Sequence, residues 1–293
     1  MRRLLISGAV AVLAVSCTPE TVETTTATTT ATVTSTIPAT STTTLPATTT
    51  TEVLGPASVA YFFFQGYPVA PGPYLATVAR AGGEDLTTAL TALLEGVTED
   101  EAGMGLSSAI PEGTRLLGVE VSDGVAFVDL SREFESGGGS LSMMGRVAQV
   151  VYTATRFEEV EAVRFLLEGE VLDVLGGEGL IIEEPQLRED WVDLTPPILL
   201  EAPPWGSTVG NEIEVSGIAE LESGVVSYVI VDAEGLIIHE GEITTVSGER
   251  TEFTDHVVLD EIPYPGLGAI IVWEWAPDGS QQHVLEYPLR LRG

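Results

Sequence analysis

The residues most able to do chemistry are three histidines, His239, His256 and His283, all in the last third of a 293-residue chain. A three-histidine metal site needs its imidazoles to converge, and these separations prescribe no convergence; the helical His-Glu-x-x-His pair is absent. Histidines so placed read as surface or edge residues. Asp129 and Ser131 stand together in VDLS, but no His or Lys lies between residues 57 and 193 to activate a serine. Their expected role is to shape a strand end by bonding to nearby backbone. Acid clusters at Glu99, Asp100 and Glu101, at Glu158, Glu159 and Glu161, and at Glu183 and Glu184 have the residue type of glycoside hydrolysis. With 44 acidic residues in the chain, such neighbours arise from composition alone and read as solvated faces. Asp278-Gly279-Ser280 could offer oxygens to calcium, yet no twelve-residue calcium loop surrounds it, and a tight turn is the reading. No catalytic, cofactor-binding or metal-ligating residue is assigned.

Candidates for binding are fewer and aromatic. Trp273 and Trp275 share a face if residues 269–275 form a strand, and could then serve as a platform for a partner or a glycan. The alternative is that both fill a core. Trp205, beside Pro203 and Pro204, is expected as an exposed loop contact. The single cysteine, Cys17, can form neither an internal disulfide nor a thiolate cluster. It follows a short apolar run behind Arg2 and Arg3, the anatomy of a lipoprotein signal peptide over residues 1–16. Ala14 stands where such signals usually carry leucine. Cys17 is therefore the expected lipidation site and membrane anchor.

Composition narrows the partners further. Formal net charge is −32, and all twelve basic residues are arginine. Without Arg2 and Arg3, ten arginines face 44 acidic residues, leaving −34 on the exported form. Nucleic acid is excluded as a partner for most of such a surface. The absence of lysine removes Schiff-base chemistry, phosphate-binding P-loops and Ser-Lys dyads.

Residues 17–55 are dominated by threonine, with Pro38 and Pro46 and no usable apolar period, and form a tether rather than a core. As a coil such a tether spans roughly 35 Å, and fully extended roughly 110 Å. From residue 57 to 193 the patterns predict strand, strand, helix, hairpin, helix, strand. VAYFFF at Val59 to Phe64 and residues 75–80 are the first two strands. Asp85 caps a helix ending at Gly96, with Leu86, Ala89, Leu90, Leu93 and Leu94 on one stripe. Asp123-Gly124 predicts a two-residue type I′ hairpin. Its register pairs Val121 with Ala126, Val119 with Val128 and Leu117 with Leu130 on an apolar face, and Glu120 with Phe127 on the other. A second helix begins at Ser140, with Leu141, Met144, Val147, Ala148, Val151 and Ala154 as its stripe, and Arg146, Gln149 and Thr153 off it. Residues 162–167 form a last strand. The expectation is an α+β domain, a mixed sheet covered by two helices.

Thr195, Pro196 and Pro197 mark a boundary. Residues 196–293 hold seven strand candidates, at 198–200, 213–218, 225–231, 236–240, 251–259, 269–275 and 283–291, which suits an all-β immunoglobulin-like sandwich built without a disulfide.

The segments YFFF, ALTALLEG, GLSSAIPEGTRLLGVEV, GVAFVDLSREF and QVVYTATRFEEVEAVRFLLEGE, in that order, resemble the GerMN domain of bacterial sporulation and germination lipoproteins. EAPPWGSTV, EVSGIAE, VDAEG and VWEWAPDGS resemble Gmad2, an immunoglobulin-like domain that follows GerMN, with a departure at Leu221 to Gly224. The resemblance implies an α+β fold similar to ring-building envelope domains, and packing against proteins rather than turnover. The expectation is a non-enzymatic, lipid-anchored component of the cell envelope, on the outer face of the cytoplasmic membrane, needing no cofactor. A glycan-binding protein of the cell wall is the second reading and a cell-wall hydrolase the third.

Overall fold

The computed structural model describes residues 57–65, 73–177 and 179–293, so the signal, Cys17 and the whole of the tether lie outside the described residues. In the first module β1 (Ala57–Phe64) pairs antiparallel with β2 (Tyr74–Ala81). Helix α1 (Leu86–Leu94) starts where Asp85 accepts the Thr88 amide at 3.0 Å. The short α2 (Glu99–Gly103) has a capping box between Thr98 and Glu101. It leads into β3 (Leu106–Ser107), then β4 (Leu116–Ser122) and β5 (Val125–Leu130), joined at Asp123 and Gly124 with φ of 50° and 80°. Both positive values are those of the expected type I′ turn. Helix α3 (Ser140–Ala154), β6 (Ala162–Leu167) and the short β7 (Glu170–Val171), β8 (Val174–Leu175) and β9 (Leu180–Ile181) complete the module.

The strands divide between two main sheets rather than forming one: β2-β1-β3, and a mixed β4-β5-β6-β7 in which β5 and β6 run parallel. The β5–α3–β6 crossover supplies that parallel pair. In the hairpin, Val119↔Val128, Glu120↔Phe127 and Val121↔Ala126 pair in the expected register. Leu130 pairs with Leu116, not Leu117, because a bulge falls between Leu116 and Gly118. Ala126, Val128 and Leu130 are buried, whereas Leu117 and Val121 on the edge strand are exposed. The helices thus cover β5 and leave β4 half bare.

Helix α3 departs most from its stripe. Leu141 is exposed, while Arg146, Gln149 and Thr153 are buried. The cause lies in β1, whose neighbour β3 pairs only with Phe63 and Phe64. The Tyr61 amide and carbonyl would otherwise be buried without partners, at a cost of about 1–3 kcal/mol each. Thr153 Oγ1 accepts the Tyr61 amide at 3.0 Å, and Gln149 Nε2 donates to its carbonyl at 2.9 Å. The same Gln149 takes the Ala109 amide on its Oε1 at 2.7 Å. Arg146 donates to the carbonyls of Ser136 and Gly137 at 3.3 and 3.0 Å, and to that of Phe134, fixing the loop before the helix. Gly145 lets α3 approach β1: a Cβ there would lie 2.9 Å from a Phe63 ring carbon.

The second module is a sandwich of β10 (Ile198–Ala202), β11 (Thr208–Val209), β12 (Glu212–Glu220), β13 (Val225–Val231), β14 (Ile237–Thr244), β15 (Arg250–Val258), β16 (Gly266–Trp275) and β17 (Gln281–Leu291). All seven expected strands are present, together with the short β11. One sheet is β10-β12-β15, the other β11-β17-β16-β13-β14. Between them Leu200, Val215, Val226, Ile230, Phe253, Ile270, Val272 and Leu289 are buried, an apolar core formed without a disulfide. Tyr228 on β13 reaches the opposite sheet, where its hydroxyl donates to Asp255 Oδ2 at 2.6 Å.

Candidate functional site

The densest polar cluster lies where the two modules meet. Glu201, on β10, receives the Tyr61 hydroxyl on Oε1 at 2.7 Å and the Arg188 Nη1 at the same distance. Arg156 stands 3.5 Å from its Oε2. Arg188 donates through Nε to Thr155 Oγ1 at 2.7 Å and through Nη2 to the Tyr152 carbonyl at 3.2 Å. Its guanidinium carbon sits 5.0 Å from the Tyr152 ring centre and 5.6 Å from that of Tyr61. Burial works against the Glu201 carboxylate, but Arg188 and Arg156 outweigh it and hold the group below the usual carboxylate range. Burial, and then the Glu201 charge, push the Tyr61 phenol well up. Arg188 comes from residues 188–194, which close the first module, so one carboxylate of the second module ties together the opening strand and the closing segment of the first.

Beside this cluster the contact is apolar. Trp205, expected as an exposed contact, is only 6% exposed. Its ring lies 4.9 Å from that of Phe64 and 5.8 Å from that of Tyr287, centre to centre. Its backbone extends β2: the Trp205 amide donates to the Thr77 carbonyl and the Ala79 amide to the Trp205 carbonyl, both at 2.9 Å. Thr77 Oγ1 bonds to the Leu200 carbonyl at 2.8 Å. Two prolines before a tryptophan read as a loop tip because nothing local announces an acceptor strand more than a hundred residues earlier.

Trp273 and Trp275 are brought together, perpendicular, with ring centres 5.7 Å apart. A bulge between Val272 and Glu274 interrupts the alternation that would place them as equals. Trp273 is 8% exposed and Trp275 44% exposed, so a single indole faces solvent and the flat two-ring platform is not formed. Glu274, between them, is buried and bonded by the Ser223 amide at 2.6 Å and Gln282 Nε2 at 2.9 Å.

The histidines occupy separate places: His239 lies 3.2 Å from the Tyr228 hydroxyl, His256 pairs with Glu214 across β15 and β12, and His283 stands 3.6 Å from Glu274. Asp129 accepts the Gly169 amide at 2.9 Å and Ser131 Oγ that of Arg115 at 2.9 Å, the backbone roles expected of them. Asp278 closes a turn on the Ser280 amide at 2.9 Å. Among the described residues no group of three His, Cys, Asp or Glu side chains is placed to hold a metal. Sequence reasoning missed Tyr61, Arg188 and Glu201. The one available signal was Glu201 itself, a carboxylate at the end of the apolar run ILLEA.

These features define a two-module protein, an α+β domain locked onto an immunoglobulin-like sandwich. Residues 59–173 match the Germane family, described as sporulation and spore germination, and residues 197–280 match Gmad2, described as the immunoglobulin-like domain of bacterial spore germination. The chain carries a Germane (GerMN) domain followed by a Gmad2 domain, and both families are described by a process rather than a reaction. Among solved structures, the first GerMN domain of the sporulation protein GerM from Bacillus subtilis is 20% identical, covering 46% of this chain and 100% of that one, with a TM-score of 0.39. The tandem GerMN domains of the same protein are 16% identical, covering 70% of this chain and 62% of that one, also with a TM-score of 0.39. No curated protein matches the chain.

Proposed function

We propose that this protein is a non-enzymatic component of the bacterial cell envelope, anchored through a lipid on Cys17 and presenting its two domains to other envelope proteins. The observation that carries the reading is the junction. Tyr61, Arg188 and Glu201 face one another and fasten the two domains together. Side chains so engaged serve rigidity, the property a scaffold needs. In this reading the anchor is the acylated Cys17, on the outer face of the cytoplasmic membrane. The domain division is signal 1–16, tether 17–55, GerMN-like 57–193 and Gmad2 196–293.

The test has two arms. Cys17→Ser is expected to release the protein from the membrane fraction or leave it unprocessed; unchanged acylated protein refutes the anchor. Crosslinking in intact cells, followed by purification of the tethered protein, is expected to recover discrete envelope proteins. Recovery of peptidoglycan instead, lost in Trp275→Ala while the fold is kept, would favour the glycan-binding reading, whose support is the solvent-facing indole of Trp275.

A further inference from the structure

The edge strand β4 leads beyond that reading. It ends the β4-β5-β6-β7 sheet, so among the described residues no strand pairs with its outer side. In a two-residue hairpin the residues flanking the turn exchange the first hydrogen bonds, and alternate residues follow. Ser122, Glu120 and Gly118 therefore use their backbone groups on β5. Val121 and Val119 turn theirs to the open edge. Two large apolar side chains of that strand are open to solvent beside the exposed Glu120 and Ser122: Leu117 is 46% and Val121 40% exposed. Native edges usually carry charge or proline to prevent pairing, and here the outward-bonding positions are valines.

We infer that β4 pairs antiparallel with β4 of a second copy of this chain, with the two-fold axis at Val119. In that register Val119 faces its own copy, Leu117 faces Val121, Gly118 faces Glu120, and Arg115 faces Asp123. Opposite charges meet at both ends, and each glutamate meets a glycine. The neighbouring registers lack this fit. Centring on Glu120 sets two carboxylates directly opposite, which destabilises a strand pair. Centring on Gly118 leaves Asp123 past the end of the partner strand and Arg115 against a valine. Arg115 is available for the contact: its side chain is 65% exposed and its one ion pair, to Glu133, is a loose 3.8 Å. Pairing also sets Leu117 of each copy beside Val121 of the other, continuing the apolar row of Ala126 and Val128 across the axis.

The experiment uses the full chain with Cys17→Ser in mild detergent, which leaves no other thiol. Val119→Cys is expected to give a disulfide-linked dimer on mild oxidation, because the residue faces itself. Val121→Cys alone is expected to give no more dimer than the exposed loop control Val246→Cys, whereas Val121→Cys mixed with Leu117→Cys links strongly. Without cysteines, Arg115→Glu is expected to weaken dimerisation in sedimentation equilibrium roughly tenfold, since the pair occurs twice. A chain that remains monomeric at submillimolar concentration, or Val119→Cys no more reactive than Val246→Cys, overturns the pairing. The latter is also the result expected if the chain's own Thr-rich segment covers the edge. Preferential linking of Val121 to Val121 overturns the register. Capture of envelope partners in cells is a separate measurement and can succeed or fail independently.

Discussion

Trp205→Ala isolates the junction from the cores it joins. The tryptophan is 94% buried, the complement of its 6% exposure, against Phe64 of the first module and Tyr287 of its own. Aromatic side chains bury about 150–250 Å², which at about 25 cal/mol per Å² corresponds to roughly 4–6 kcal/mol as an upper value. Buried tryptophan-to-alanine changes cost about 3–5 kcal/mol, so about 4 kcal/mol is the working figure. The backbone bonds to Thr77 and Ala79 remain possible in the variant, but the side chain that holds them in place is gone. Local opening of that contact should become about a thousandfold more frequent, at 1.4 kcal/mol per decade. Hydrogen exchange followed by mass spectrometry resolves this: amides of β2 and of residues 198–209 should lose about three decades of protection, while those of β5, β6, β13 and β16 keep theirs. Thermal unfolding should separate into two transitions in the variant, against a single one expected of the parent chain. Equal loss of protection in both modules, or less than a tenfold change at β2, would refute the argument that Trp205 acts as a local clamp.

The remaining predictions concern the polar supports. Glu201→Gln should lower stability by about 1.5–3 kcal/mol, because bonds to two arginines and a tyrosine lose their charge. The folded Glu201 titrates below its unfolded value, so its contribution is complete above the unfolded carboxylate range and disappears as pH falls towards the folded value; acid denaturation curves of parent and variant should converge there. Tyr61 has the opposite sign: its raised value means stability is complete below the ordinary phenol range and falls as pH rises beyond it, a loss that Tyr61→Phe should reduce in alkaline unfolding. Arg146→Lys should destabilise nearly as much as Arg146→Met, by about 2–4 kcal/mol in urea unfolding, because an ammonium cannot span the Phe134, Ser136 and Gly137 carbonyls. Gly145→Ala adds about 1 kcal/mol of helix propensity, but its methyl meets Phe63 at 2.9 Å and the Ala109 methyl at 3.0 Å. Overpacking of that kind costs about 1–3 kcal/mol, so a net fall in stability is expected, and a rise would show that α3 shifts freely.

What could be read from the chain was whatever is decided within a few residues. The Asp85 cap, the Asp123-Gly124 turn and the alternation along the sandwich strands are local, and the structure has them in place. The register failed only at Leu117, where a bulge adds a residue that side-chain alternation cannot announce. The tryptophans show the same limit twice. Trp273 and Trp275 lose their common standing to a bulge, and Trp205 is buried by strands from a distant part of the chain. A two-residue period gives the face of a strand but not what covers that face.

The polar face of α3 carries this furthest. By periodicity Arg146, Gln149 and Thr153 belong outside, yet all three are buried, because the partner that needs them is backbone. The short β3 leaves the Tyr61 amide and carbonyl unpaired, and Thr153 and Gln149 bond to them from one helix turn apart. The same Tyr61 sends its hydroxyl to Glu201 in the other module. Helix α3 therefore fixes the backbone of the residue whose side chain fastens the domains. Gln149→Leu should accordingly loosen both: it removes the acceptor for Ala109 and the donor for the Tyr61 carbonyl, and it should shift the alkaline titration of Tyr61 as well as lower stability. A stability loss with an unchanged Tyr61 titration would show that the helix and the junction are independent supports.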